Sequence, residues 1–99
     1  MKYSALIYPF AQNDLLETKE YFENKLKIGF DDFIDSFISA VSKTEENPFI
    51  FPLVNDIHMR EKGYRKFNIG NYLVFYIVVQ HTIQIRRILF GRRHYSDFL

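Results

Sequence analysis

Cysteine is absent from this 99-residue sequence. Disulfides, thiolate metal sites and a cysteine nucleophile are therefore excluded, and the composition fits a reducing compartment, so we expect a cytoplasmic protein. Long hydrophobic runs are absent too: the longest, from Tyr72 to Val79, has eight residues, whereas a membrane-spanning helix needs about 20. The N-terminal stretch lacks a signal-peptide pattern. We predict neither a membrane span nor export.

Glycine and proline are scarce, with four and three residues respectively, and no stretch rich in them forms a linker. The sequence therefore predicts one domain that covers residues 1–99. Apolar residues make up 47% of the chain and aromatic residues 18%. Large aromatic side chains bury much area each, so a small core is feasible without disulfides.

Acidic residues are nearly missing from the last part of the chain. Residues 60–99 contain eight Lys or Arg against Glu61 and Asp97, while the preceding residues contain five Lys and ten acids. The formal net charge of +1 hides this division. Clustered cations are the usual footprint of phosphate binding, so the basic part is the first candidate for a functional surface.

The first half of the sequence predicts a strand and two helices. Tyr3 to Tyr8 suits a strand that stops at Pro9, and a helix is expected to begin at Pro9 or Phe10. Apolar residues then recur at helical spacing in two segments that are separated by Gly29. These apolar positions are Ala11, Leu15, Phe22 and Leu26 in the first segment, and Phe30, Phe33, Ile34, Phe37, Ile38 and Val41 in the second.

The second half predicts a loop and three strands. Asn47-Pro48 is expected to end the second helix, residues 47–60 to form a loop, and short turns to join strands at Tyr64 to Ile69, Tyr72 to Val79 and Thr82 to Phe90. The fold class is therefore α+β: a first strand, an antiparallel two-helix hairpin and a three-stranded antiparallel meander. One small sheet would pack on the helices, with the middle strand at its centre.

This order, together with particular residues, resembles the RelE/ParE superfamily, the toxins of bacterial type II toxin-antitoxin systems. The resemblance covers nearly the whole chain. Many relatives have Arg in the central strand where this chain has Tyr72 or Leu73, and His where it has Phe90. The residues that carry the resemblance are Ala11, Asp14, Leu15, Tyr21, Arg65, Gly70, Asn71, Tyr72, Tyr76, the run Ile85-Arg86-Arg87-Ile88-Leu89 and the run Gly91-Arg92-Arg93-His94-Tyr95.

The resemblance implies one of two activities: endoribonuclease cleavage of ribosome-bound mRNA without a metal, or non-enzymatic poisoning of DNA gyrase. Cleavage needs a base, an acid and cations around the attacked phosphate. His94 is the natural general acid or general base. Tyr95 can stack on a nucleobase of the RNA or act as a general base, and Arg65 can stabilise charge. These three are the expected catalytic residues. Because the ending Arg93-His94-Tyr95 resembles the ribosome-dependent RNases, cleavage is preferred and gyrase poisoning is the alternative.

Six further cationic residues are expected to bind RNA or phosphate. Of Arg86 and Arg87, which are adjacent on the last predicted strand, one should face the catalytic site. For each of them a plain alternative stays open, namely that the cation solvates a surface or pairs with an acidic helix. The six are Arg60, Lys62, Arg86, Arg87, Arg92 and Arg93.

Cofactors and metals are not expected, because His58, His81 and His94 have no spacing typical of a metal site. The resemblance implies a cognate antitoxin, whose acidic and partly disordered segment would fold over the basic sheet face and give a hetero-oligomer. The ribosome with its mRNA, or DNA gyrase, would be the target. A nucleic-acid-binding module without toxicity is a third, weaker interpretation.

Overall fold

The computed structural model describes residues 2–91, 97 and 99. It is an α+β structure in which helices and strands follow each other largely as predicted. In chain order the elements are β1 (Ser4–Ile7), α1 (Pro9–Glu20), a π-helical segment (Tyr21–Lys25), α2 (Asp31–Glu46), α3 (Ile57–Glu61), β2 (Arg65–Ile69), β3 (Tyr72–Val79) and β4 (Thr82–Phe90).

The sheet has four strands in the order β1-β4-β3-β2. Strands β2, β3 and β4 pair antiparallel, and β1 pairs parallel with β4, so that the sheet is mixed rather than a meander alone. The sequence predicted the first strand without assigning its neighbour. Short turns oblige β2, β3 and β4 to pair antiparallel, whereas the partner of β1 depends on how the helices cross the sheet.

The first helix begins at Pro9. Proline has no backbone N–H, but at the first position of a helix that N–H would have no partner within the helix, so the fold loses no hydrogen bond. Its regular pattern changes after Glu20, where the Leu26 N–H donates to the Tyr21 carbonyl oxygen at 3.0 Å in a π-helical turn. This wider turn was not predicted, because apolar spacing does not distinguish it from an α-helix. Beside it the Phe22 ring packs edge-on against Phe33, with ring centroids 5.6 Å apart.

The main core lies between the first face of the sheet, defined as the face covered by α1 and α2, and those helices. Half of the buried members of this core are aromatic, and their ring pairs are edge to face or tilted, with Phe30 and Phe33 stacked; such aromatic pairs add to the free energy of burial. The two helices turn back on each other in a hairpin-like arrangement, as predicted. The buried members of this core are Ala11, Phe33, Phe37, Phe67, Tyr72, Val74, Tyr76, Ile83, Ile85 and Ile88.

A smaller core lies on the opposite side, which we call the second face. The prediction of a loop over residues 47–60 is wrong at its end, because Ile57–Glu61 forms α3. The Asp56 carboxylate accepts a hydrogen bond from the Met59 N–H at 3.0 Å and starts this helix. Burial of Met59 then keeps the helix on the sheet, which a five-residue pattern does not reveal. The buried residues are Val54, Met59, Tyr64, Phe75 and Leu89.

None of the helices in the described part of the chain is both long and apolar enough to cross a lipid bilayer. The longest, α2, has 16 residues and carries acids in its first turn. Its amphipathic surface is used to cover the sheet, since Phe33 and Phe37 are buried on one side only.

The dependence of the fold on this helix face can be tested with neighbouring residues of α2. Phe37 is 3% exposed and Ile38 is 57% exposed. We expect Phe37→Ala to lower the free energy of unfolding by about 3–5 kcal/mol, because it leaves a cavity in the main core, and Ile38→Ala to lower it by less than about 0.5 kcal/mol. Urea unfolding followed by circular dichroism measures both; equal losses would contradict the assignment of the buried face.

Candidate functional site

A buried carboxylate on α1 organises the cations of β4. Asp14 is 6% exposed. Its Oδ2 accepts hydrogen bonds from Arg87 Nε at 2.8 Å and from the Ile88 backbone N–H at 2.8 Å, while Oδ1 accepts from Arg87 Nη2 at 3.1 Å. The hydrogen bonds that Arg87 donates to Asp14 raise the pKa of the guanidinium. The guanidinium predicted to bind phosphate is therefore engaged in a charge-assisted pair within the chain.

The neighbouring Arg86 lies at a β-bulge. Phe75 pairs with Arg87 and Tyr76 pairs with Ile85, so Arg86 is the extra residue of β4. Its Nη1 donates to the Gln84 side-chain oxygen at 2.8 Å, and its guanidinium lies 4.8 Å from the centre of the Tyr8 ring.

These contacts place Arg86 on the second face. Gln84 pairs with Ile77, which packs against the second core. Arg87 pairs with Phe75 of the second core but is bound by Asp14 of α1, so the two adjacent arginines have different partners.

Arg65, predicted to be catalytic, lies at the start of the edge strand β2. It pairs with the buried Tyr76 and so shares the first face. Its Nη1 donates to the Phe51 carbonyl oxygen at 2.8 Å, and its guanidinium lies 5.0 Å from the centre of the Phe49 ring. The side chain thus holds the segment after α2 against the sheet.

Arg60 and Lys62 are exposed at the end of α3. A side chain at the adjacent Gly63 would lie 3.9 Å from Ile77 Cγ2, which places this end of α3 above the second face. Lys62 and Arg86 therefore belong to the same face, while Arg65 belongs to the other. The predicted cations do not form one cluster among the described residues.

Four of the predicted residues, Arg92, Arg93, His94 and Tyr95, lie outside the described residues. Their roles stay predictions. Gly91 ends the described run after β4, and Leu99 packs against the second core.

Sequence reasoning missed a polar cleft between α1 and the end of β4. It has a volume of about 290 Å³. Burial, and to a smaller extent the neighbouring Tyr21, raises the pKa of Tyr72, so this phenol is neutral near pH 7 and cannot serve as a base there. A signal for Asp14 was present: it shares the helix face of Ala11 and Thr18, which are buried. The cleft is lined by Asp14, Glu17, Thr18, Tyr21, Tyr72, Arg87, Ile88, Leu89 and Phe90.

Metal-binding geometry is not found in the part of the chain that the structure describes, where no three His, Cys, Asp or Glu side chains come together. His81 packs instead beside the Tyr3 ring, with centroids 5.6 Å apart, and His58 is exposed on α3.

A family model described as the ParE toxin of the type II toxin-antitoxin system, parDE, matches residues 7–95. The chain belongs to the ParE toxin family. No curated protein matches it. Membership in the ParE family supports the RelE/ParE resemblance and implies a cognate antitoxin as a partner of this ParE-family toxin.

The Asp14 carboxylate is expected to stabilise this ParE-family fold strongly, because removing it leaves a guanidinium and a buried backbone N–H without their acceptor. Asp14→Ala should lower the free energy of unfolding by about 2–4 kcal/mol. Glu17→Ala, one turn along α1 and exposed, should cost less than about 0.5 kcal/mol. Denaturant titrations provide the values, and similar effects of the two substitutions would show that the carboxylate is not structural.

Alkaline titration of the seven tyrosines should include a late step that belongs to Tyr76, whose pKa, like that of Tyr72, is raised. Burial raises the pKa of Tyr76 to about 12, although the charge of Arg65 lowers it in part. Its hydroxyl donates to the Pro48 carbonyl oxygen at 2.9 Å. Since the unfolded phenol ionises near pH 10, the stabilising contribution of neutral Tyr76 is complete below about pH 10 and is lost as the pH rises to about 12.

Absorbance of tyrosinate measures this step, and Tyr76→Phe should remove it while leaving the earlier steps in place. A Tyr76→Phe titration that superimposes on that of the unsubstituted protein, after scaling for one fewer phenol, would contradict the assignment.

Proposed function

We propose that this ParE-family toxin arrests growth by binding DNA gyrase and trapping its cleaved-DNA complex. It would act as a protein ligand without an active site of its own. One observation carries the proposal: the three described strand arginines, Arg65 predicted to be catalytic and Arg86 and Arg87 predicted to bind phosphate, do not converge. Arg65 lies on the first face, Arg86 lies on the second, and Arg87 is paired with Asp14. RNA cleavage needs cations, an acid and a base around one phosphate.

Exposed apolar side chains on α1 and β1 support a protein target. Phe10 is 74% exposed, Leu16 is 60% exposed and Leu6 is 55% exposed. Large apolar side chains at the surface are typical of protein contacts when several lie near one another. The guanidinium of Arg87 lies 5.6 Å from the centre of the Phe10 ring, so this part of the surface combines an aromatic ring with a cation. Arg and aromatic residues are enriched in protein interfaces.

Ribosome-dependent mRNA cleavage is the second candidate. It is favoured by two cations on the second face, Lys62 and Arg86. Leu99, at the end of the chain, packs against the core of the same face. In this mechanism His94 would act as general acid or base, and Tyr95 would stack on a nucleobase or act as the general base that takes the proton of the 2′-OH. Arg92, Arg93 and Arg60 would bind phosphate, and Arg65 would stabilise charge only from the opposite face.

The decisive experiment combines purified gyrase, ATP, supercoiled plasmid and the toxin. We expect linear plasmid to accumulate after detergent and protease treatment, because a trapped cleavage complex leaves the DNA cut. A double variant, His94→Ala with Tyr95→Ala, should retain this effect within about threefold, since loss of acid–base residues typically costs an enzyme about 10²–10⁴-fold in rate. Gel electrophoresis quantifies the linear product.

The matched assay uses programmed ribosomes with a defined codon in the A site and primer extension on the mRNA. A new cut in that codon, lost in the double variant, together with intact plasmid in the gyrase assay, would overturn gyrase poisoning in favour of cleavage. Absence of growth arrest on induced expression, with neither DNA nor RNA cut, would overturn toxicity itself.

A further inference from the structure

The polar cleft between α1 and the end of β4 adjoins a second cavity. This cavity, which we call the aromatic pocket, has a volume of about 470 Å³ and lies between the π-helical segment, the start of α2 and the turn that joins β2 to β3. Three aromatic residues line both cavities, so that the polar cleft and the aromatic pocket form one site with a shared wall. The shared residues are Tyr21, Tyr72 and Phe90, and Phe22, Asp32 and Phe33 also line the aromatic pocket.

The shared wall leaves part of its aromatic surface open. Tyr72 is 9% exposed and forms the base of the wall, and the Phe90 ring packs against it with ring centroids 5.1 Å apart. Tyr21 is 45% exposed and Phe90 is 48% exposed. Aromatic rings attract cations over their faces, and the attraction is stronger where water is excluded. A cation in this site would therefore contact aromatic surface.

The π-helical turn after α1 contributes a ring to this wall. Turns of this kind are rare, and they occur frequently at functional sites. The Phe22 ring packs into the main core, where its centroid lies 5.6 Å from that of Phe33 and 6.0 Å from that of Tyr72. The preceding residue, Tyr21, lines both cavities. The turn thus supplies one ring to the core and one ring to the site.

Carboxylates lie at both ends of the site. Glu17 lines the polar cleft and Asp32 lines the aromatic pocket. Asp14 also lines the cleft, but its charge is balanced by Arg87. Glu17 is exposed and accepts a hydrogen bond from the Asn13 side-chain nitrogen at 3.1 Å, and it forms no ion pair with a residue that the structure describes. The described lining therefore keeps a net negative charge, which favours a cationic occupant.

A guanidinium group fits both the rings and the carboxylates. It is planar, it stacks on aromatic faces, and its N–H groups can donate two parallel hydrogen bonds to one carboxylate. Arginines of this chain already make ring contacts of this kind: Arg65 lies 5.0 Å from the centre of the Phe49 ring, and Arg86 lies 4.8 Å from that of Tyr8. The ammonium group of lysine is compact and strongly hydrated. The site therefore suits arginine better than lysine.

We propose that this site binds an arginine side chain of DNA gyrase. The inference rests on the proposed function, since it takes gyrase as the target. An enzyme that holds DNA carries Arg and Lys on and around its DNA-binding surface, so gyrase offers side chains of the required charge. The cognate antitoxin fits this site less well, because its expected acidic segment would be repelled by Glu17 and Asp32.

A substitution at Glu17 tests the charge of the site. Glu17→Gln keeps the shape of the side chain and removes its charge, so it should weaken binding of the intact toxin to purified gyrase by about ten- to a hundredfold. Glu20→Gln removes the same charge one turn along α1, at an exposed position outside both cavities, and should change affinity by less than about threefold. Calorimetry measures both affinities, and urea unfolding checks that both variants fold.

Equal affinities of the two variants would overturn the inference, and the gyrase binding that both retain would leave the proposed function in place. The ring at Phe90 gives an independent measurement. Phe90→Leu keeps apolar bulk but removes the aromatic face, and should weaken gyrase binding by about three- to tenfold. An unchanged affinity would contradict the role of the aromatic wall.

A small probe tests the guanidinium site without gyrase. We expect the amide of acetylarginine to bind the toxin with a Kd of about 10 mM or tighter and to shift the backbone amide resonances of Glu17, Tyr21 and Phe90. The amide of acetylcitrulline has nearly the same shape without the charge and should leave these resonances in place. Equal shifts with the two probes, or no shift with either, would overturn the guanidinium site.

Three further outcomes separate the inference from the proposed function. Weaker binding of the neighbouring antitoxin to Glu17→Gln, with gyrase binding unchanged, would assign the site to the antitoxin and overturn the inference. Self-association of the toxin that is lost in Glu17→Gln, again with gyrase binding unchanged, would assign the site to a second copy. No binding of the unsubstituted toxin to gyrase, together with intact plasmid, would overturn the proposed function and the inference with it.

Discussion

The first strand, β1, is too short to pair with all of β4, and the Asp14 carboxylate accepts a hydrogen bond that a longer strand would have accepted. Because β1 has four residues, it pairs with β4 only from Thr82 to Ile85 and leaves the rest of β4 without a neighbouring strand on the side away from β3. Asp14 takes the place of the missing strand by accepting the Ile88 N–H and two guanidinium hydrogen bonds. A buried carboxylate is stable only with such partners. The position of α1 on the sheet, and the separate environments of the two arginines in β4, depend on this group.

The charge asymmetry of the sequence therefore does not translate into one anion site within the described chain. Strand alternation and the bulge at Arg86 distribute the cations over two faces, and contacts with Asp14, Phe51 and Gln84 engage three guanidinium groups. Arginine in such contacts stabilises the fold through charge-assisted hydrogen bonds and ring contacts. These three arginines therefore contribute to the stability of the fold. Recognition of a target then depends on the remaining exposed surface.

The strands with strong patterns were predictable to the residue. β3 and β4 begin and end where the sequence placed them, because two-residue turns and continuous β-branched or aromatic runs leave little choice. The helix starting at Pro9 was predictable for the same local reason. The π-helical turn at Tyr21, the helix α3 and the partner of β1 were not, since each depends on contacts with residues far along the chain. The sequence identified the cationic residues of the candidate site, but not the groups that their side chains contact.

The sequence by itself determined the α+β class, the order of the four strands and the two long helices, the inner position of β3 and the resemblance to a toxin superfamily with an antitoxin partner, which the family match supports. Local propensity, turn chemistry and apolar periodicity are properties of neighbouring residues and can be read without a structure. Tertiary structure decided which faces Arg65 and Arg86 occupy, that Asp14 is buried, and that Glu45 of α2 closes the outer edge of β1. Those features arise where residues distant in sequence compete for the same hydrogen-bonding groups, and local pattern contains no information on that competition.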